Sequence, residues 1–214
     1  MKLPVAIQVY SVRDDAAADL RGTLEKIKEM GYDGVELAGL FGHCPKKVKH
    51  WCDSLGLNPI SAHVPLADML ADVDKVIADY KAVGCEYIVV PYVTAERRPG
   101  GELFMQMIEE IRTIGTKAKE AGLVLLYHNH DFEFIKMPNG QYGLDYIYST
   151  IGPELLETEL DTCWVKVAGE CPVAYIKKYA NRCPVVHLKD FKKSGDNLDK
   201  LYDLIGIMTF FITS

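Results

Sequence analysis

Short apolar runs alternate with longer amphipathic stretches along the chain, and a glycine separates most stretches from the next run. Val5-Ala6-Ile7-Gln8-Val9-Tyr10 alternates as a strand does. Over residues 16–30, Leu20, Leu24, Ile27 and Met30 fall on one helical face. The same reading predicts further strands at 34–37, 58–63, 87–91, 123–126, 156–161 and 184–189. Helices are predicted at 46–55, 66–83, 102–121, 142–151 and 173–180, with another over 198–205.

Helix, glycine and strand recur at Gly31, Gly56, Gly84 and Gly122, at intervals of 25, 28 and 38 residues. That spacing is the size of one βα unit. Strands of this length, apolar on both faces, belong to a parallel sheet covered by helices. An open doubly wound sheet and a (β/α)8 barrel both satisfy the pattern. No Gly-x-Gly-x-x-Gly or Gly-Lys-Ser/Thr loop follows the first strand, which weakens a nucleotide-binding doubly wound fold. The chain of 214 residues suits one domain, and it has room for seven clear strands of a barrel that typically needs about 250 residues. Residues 206–214 carry no charged side chain and read as an apolar end.

The chemistry gathers where predicted strands stop. The fifth ends in Tyr127-His128-Asn129-His130-Asp131-Phe132-Glu133-Phe134, the sixth in Glu159-Leu160-Asp161, and the seventh in His187-Leu188-Lys189-Asp190. A single strand-end histidine or aspartate is ordinarily a hydrogen-bonded rim residue or a helix cap. In a parallel barrel, however, all strands end at one mouth, so His128, Asp161 and His187 are expected to converge there as metal ligands. A mixed His/Asp set suits Mn, Co, Zn or Fe(II) better than Mg or Ca. His130 shares the parity of His128 and is a candidate for substrate binding, with Gln8, His63 and Trp164. Glu36, Glu133 and Lys189 are the candidate catalytic groups, two carboxylates able to move a proton and an amine able to hold an oxygen.

Composition removes alternatives. A net charge of −6 and the lack of a basic tract argue against a nucleic-acid partner. No stretch approaches the roughly 20 apolar residues of a membrane helix, and the N-terminus lacks signal-peptide features, so a cytoplasmic location is expected. Six cysteines without a Cys-x-x-Cys pair read as reduced thiols.

Taken together, Gly34-Val35-Glu36-Leu37, Ser61-Ala62-His63, the fifth-strand motif, Leu160-Asp161-Thr162 and His187-Leu188-Lys189-Asp190 resemble the sugar phosphate isomerase/epimerase family, the xylose-isomerase-like TIM barrels. The resemblance covers about residues 3–192. It implies a (β/α)8 barrel and a small sugar or sugar-like substrate. It also implies a divalent metal (Mn, Co, Zn or Mg) and proton transfer beside a carbonyl, and it suggests homo-oligomers. Isomerisation or epimerisation is the leading activity; a catalytically impaired sugar-binding barrel and an inosose-type dehydratase are the alternatives. Asp161 matches the family's sixth-strand ligand and His187 the seventh, whereas the fifth-strand acid is replaced by the His128/His130 region. No glutamate matches the eighth-strand ligand. The expectation is a C-terminally incomplete barrel, from a truncated or altered longer chain, with two exposed sheet edges.

Overall fold

The computed structural model describes residues 3–193 and 202–211. Seven parallel strands form successive staves: β1 (Val5–Gln8), β2 (Gly34–Leu37), β3 (Asn58–His63), β4 (Tyr87–Val90), β5 (Val124–His128), β6 (Glu157–Asp161) and β7 (Val185–Lys193). Helices pack outside them: α1 (Arg13–Ala18), α2 (Leu20–Glu29), α3 (Pro45–Leu55), α4 (Leu66–Ala71), α5 (Val73–Val83), α6 (Phe104–Glu120), α7 (Gly143–Thr150), α8 (Thr162–Val167) and α9 (Pro172–Lys178). The helix-to-strand glycines work as read: Gly56 and Gly84 end α3 and α5 at φ of 62° and 94°, a conformation that penalises a Cβ.

The eighth position corrects two expectations. Residues 202–205, predicted as part of a helix, open β8 (Tyr202–Phe211) instead; residues 198–201 lie outside the described residues. β8 runs antiparallel to both β7 and β1, with Val185 opposite Phe211 and Val5 opposite Phe210. The two expected open edges are therefore paired. Unpaired N–H and C=O groups on β1 and β7 offer a template that an apolar, β-branched and aromatic segment can fill, whatever its direction.

Two predicted helices are each split in two. Asp19 and Asp72 are extended, and their carboxylates accept from the backbone N–H of Gly22 and Lys75. An aspartate that caps a new helix interrupts the old one, although the apolar stripe continues across it. Helix α8 was not foreseen; it begins on Asp161, whose Oδ1 accepts from the N–H of Trp164 at 3.0 Å.

Side chains alternate across the strands, which sorts chemistry from packing. Ala6, Ile60, Val89, Leu126 and Val185 form a small apolar plug inside the barrel. The larger core lies between strands and helices and includes Leu24, Val35, Ile108, Leu125, Tyr127 and Leu160. Above the plug, the inward positions turn polar. Among the described residues no helix is long and apolar enough to cross a membrane.

Candidate active site

Inward positions near the strand ends carry Gln8 (β1), Glu36 (β2), Ser61 and His63 (β3), His128 (β5), Glu159 and Asp161 (β6), and His187 and Lys189 (β7). Parity explains β6: Glu159 and Asp161 are two apart, so both face inward, and Asp161 lies beside His187 in the register. The strands thus deliver residues far apart in sequence to one buried layer.

Four of these groups stand closest. One ligand atom each from His63, His128, Glu159 and His187 lies within 4.8 Å of all the others. Glu159 Oε2 is 2.6 Å from His63 Nε2 and 2.9 Å from His128 Nδ1, and its Oε1 is 3.4 Å from His187 Nε2. Metal–ligand distances of about 2.0–2.2 Å place opposite ligands about 4 Å apart, so a small inward movement suffices for a shared cation. Glu159 Oε1 is buried without a hydrogen bond, an acceptor suited to a cation. The donor set fits a divalent ion of the Zn, Mn, Co or Fe type.

Glu36 lies beside this group, on the same His63 and His187 nitrogens that Glu159 faces. Its Oε1 is 2.9 Å from His187 Nε2 and 3.1 Å from His63 Nε2, while Oε2 accepts from Ser61 Oγ at 2.7 Å. It is fully buried and does not line the cavity. Burial alone would raise its carboxyl, but His63 and His187 hold it well below the usual carboxylate range. Glu159 moves the other way: burial and the charge on Glu36 push it up. Burial lowers His63 and His128, which keeps both rings neutral as ligation requires. Burial opposes the charged form of His187 too, but Glu159 and Glu36 outweigh it and raise the ring.

Asp161 sits to one side. Its Oδ2 is 3.0 Å from Lys189 Nζ and 3.7 Å from His128 Nε2, while the Asn129 side chain accepts from the Asp161 N–H at 2.9 Å. Lys189 Nζ also lies 4.6 Å from the Trp164 ring centre. His130 stacks on Phe132 at 5.1 Å and tilts against Trp164 at 5.3 Å. Burial, then the charge on Lys189, lowers His130 to about 3, so its ring is neutral.

A cavity of about 770 Å³ opens above this layer. Gln8, His63, His128, His130, Trp164, His187 and Lys189 all line it. Gln8 also holds the back of the His63 ring, with Nε2 3.1 Å from Nδ1.

Glu133 is placed elsewhere. It accepts from Tyr127 OH at 2.8 Å and from the His130 N–H at 2.8 Å. Tyr127 faces the helices, and Glu133 is buried with it, away from the cavity lining. Glu159 is the residue the sequence reading passed over as a ligand; its signal was the two-residue step to Asp161, which puts both acids on the inward face. The Arg97-Arg98 loop is engaged in packing: Arg97 pairs with Glu110, and Arg98 lies over the rings of Tyr92 and Phe132.

The profile of the xylose isomerase-like TIM barrel family matches residues 24–203. No curated protein sequence matches the chain. A sugar phosphate isomerase/epimerase from Parabacteroides distasonis superposes with a TM-score of 0.76 at 21% identity, over 92% of this chain and 81% of that one. The probable 3-DHS dehydratase AsbF from Bacillus anthracis gives 0.70 at 13% identity, over 92% and 76%. The 3-keto-D-glucoside 4-epimerase YcjR from E. coli gives 0.57 at 17% identity, over 78% and 73%. At these identities the likeness is one of fold, and the neighbours include both epimerase and dehydratase chemistry. With the profile spanning most of its length, the chain belongs to the xylose isomerase-like TIM barrel family.

Proposed function

We propose that the protein is a divalent-metal-dependent sugar isomerase or epimerase that moves a proton beside a carbonyl. The observation that carries this reading is the buried group of three histidines and one carboxylate at the floor of a cavity. His63, His128, Glu159 and His187 would hold the ion; Asp161, 3.7 Å from His128 Nε2, lies outside this set and is paired with Lys189. A bound divalent ion polarises a substrate oxygen and stabilises the negative charge that develops when a neighbouring carbon loses its proton.

The chain's own groups supply the rest. Lys189 reaches the cavity with Nζ beside Asp161, so this pair passes a proton to or from a substrate oxygen. Gln8 fixes the His63 ring at Nδ1, and Ser61 fixes Glu36, which meets the His187 and His63 rings at the Nε2 atoms that also face Glu159. Trp164 and His130 form an apolar wall for a sugar ring, as aromatic faces do. The dehydratase among the structural neighbours favours a second reading: the same proton abstraction followed by loss of a hydroxyl.

Metal analysis of the purified chain tests the site. Glu159→Gln and His187→Ala are expected to lose most of the bound metal, whereas Asp161→Ala, which removes the outlying carboxylate, is expected to keep more than either. Unchanged metal content in the first two variants would remove the site. Incubation with keto-sugars in deuterated water tests the reaction: deuterium at the carbon beside the carbonyl marks proton abstraction, and its absence across the panel would refute an isomerase.

A further inference from the structure

We propose that the substrate is a neutral saccharide of more than one ring, held beyond the metal by a clamp of two tyrosines. The proposal rests on the sugar-binding reading of this cavity and narrows its substrate class to unphosphorylated glycosides.

Two rim aromatics line the cavity although they are half exposed, Tyr10 at 55% and Tyr92 at 48%. Tyr10 follows β1 and Tyr92 follows β4, three staves apart, so they stand across the mouth from each other. Each ring carries a guanidinium. Arg13 lies 4.5 Å from the centre of Tyr10 and donates to the Tyr10 carbonyl at 3.0 Å. Arg98 lies 5.2 Å from the centre of Tyr92, and it also donates to the Tyr92 hydroxyl. Tyr92 is further fixed edge-on by His130 and Phe132 at 5.5 and 5.7 Å. Exposed rings held this firmly present preorganised flat surfaces, which suit the apolar faces of sugar rings.

Charge and size point the same way. Arg13 and Lys189 are the Arg and Lys residues lining the cavity, among the described residues. Lys189 is paired with Asp161, and Arg13 is engaged by Tyr10, with Asp68 also in the wall. With Lys189 offset by Asp161 and Arg13 by Asp68, the charged side chains at the cavity leave no surplus of positive charge to draw in a phosphate. The cavity, at about 770 Å³, falls in the upper part of the roughly 300–1,000 Å³ range of small-molecule pockets. A lone hexose over the histidine floor, against Trp164 and His130, leaves the space between the tyrosines for a second ring.

Calorimetric titration of the metal-loaded full chain tests this, with maltose, cellobiose, lactose and trehalose against glucose, galactose and glucose 6-phosphate. At least one disaccharide is expected to bind about tenfold tighter than its component monosaccharides, and glucose 6-phosphate no tighter than glucose. Tyr10→Ala and Tyr92→Ala are each expected to remove most of the disaccharide's advantage while leaving monosaccharide affinity within about twofold. Tighter binding of the phosphate overturns the proposal. So does a panel in which no disaccharide outbinds its monosaccharides, including one with no binding at all, or equal losses for both ligand sizes in the tyrosine variants. Deuterium exchange into monosaccharide keto-sugars is read separately, so the clamp can fail while the proposed reaction stands.

Discussion

At the scale of single residues, burial decides what each acid does. Glu159 and Glu133 are both fully buried acids, yet one faces three imidazoles inside the barrel and the other a tyrosine outside it. Burial raises the Glu133 carboxyl from 4.5 to about 7, although Tyr127 and the His130 N–H partly offset that cost. Because the folded value lies above the unfolded one, the fold holds a proton that the unfolded chain has already released. The contribution of this group to stability is therefore greatest below about pH 4.5 and is lost as pH rises to about 7, by roughly 3 kcal/mol. Glu133→Gln removes the dependence, since the amide accepts from His130 and donates to a rotated Tyr127 hydroxyl. Thermal unfolding at about pH 5 and about pH 8 should show the variant gaining on the parent at the higher pH. An equal difference at both values would refute a strained carboxylate.

At the scale of elements, the close approach of α6 to the chain before β6 sets a limit visible only in three dimensions. A Cβ at Gly115 would stand 2.2 Å from the carbonyl oxygen of Leu155. Helix propensity favours alanine over glycine by about 1 kcal/mol in a helix interior. Here the backbone contact reverses the sign, and Gly115→Ala is expected to destabilise by about 1–3 kcal/mol, seen as a lower urea midpoint. A midpoint equal to or above the parent's would show that the helix can retreat. Similar local logic explains the split helices. Both aspartates that interrupt the stripes were in view, but whether a mid-stripe aspartate caps a new helix or faces solvent depends on the path of the chain around it.

At the scale of the whole molecule, β8 closes what seven parallel strands leave open. It pairs with Val5 to Ile7 on β1 and with β7 from Val185 onward. Removal of residues 202–214 would free both edges, and the shortened chain is expected to elute at higher mass than the parent in size-exclusion chromatography. Elution as a smaller, fully folded species would show that the edges are protected by other means. The direction of β8 also separates this barrel's last stave from its neighbours: an antiparallel strand directs its C-terminal end to the floor rather than the mouth.

The repeat of helix, glycine and strand was enough to determine a parallel sheet covered by helices, because periodicity and cap chemistry are local properties that tertiary contacts reinforce at Gly56 and Gly84; closure into a barrel is a property of the tertiary structure. The sequence also marked the fifth, sixth and seventh strand ends as the places where titratable side chains gather, since parallel strands of a barrel end at a common mouth. It did not separate Glu159 from Asp161, or place Glu133 behind the barrel wall. Those depend on which face a strand turns inward and how far it extends before the chain bends. That residues 202–211 form a strand was likewise decided by the edges available to them, which β1 and β7 present from nearly the whole length of the chain apart.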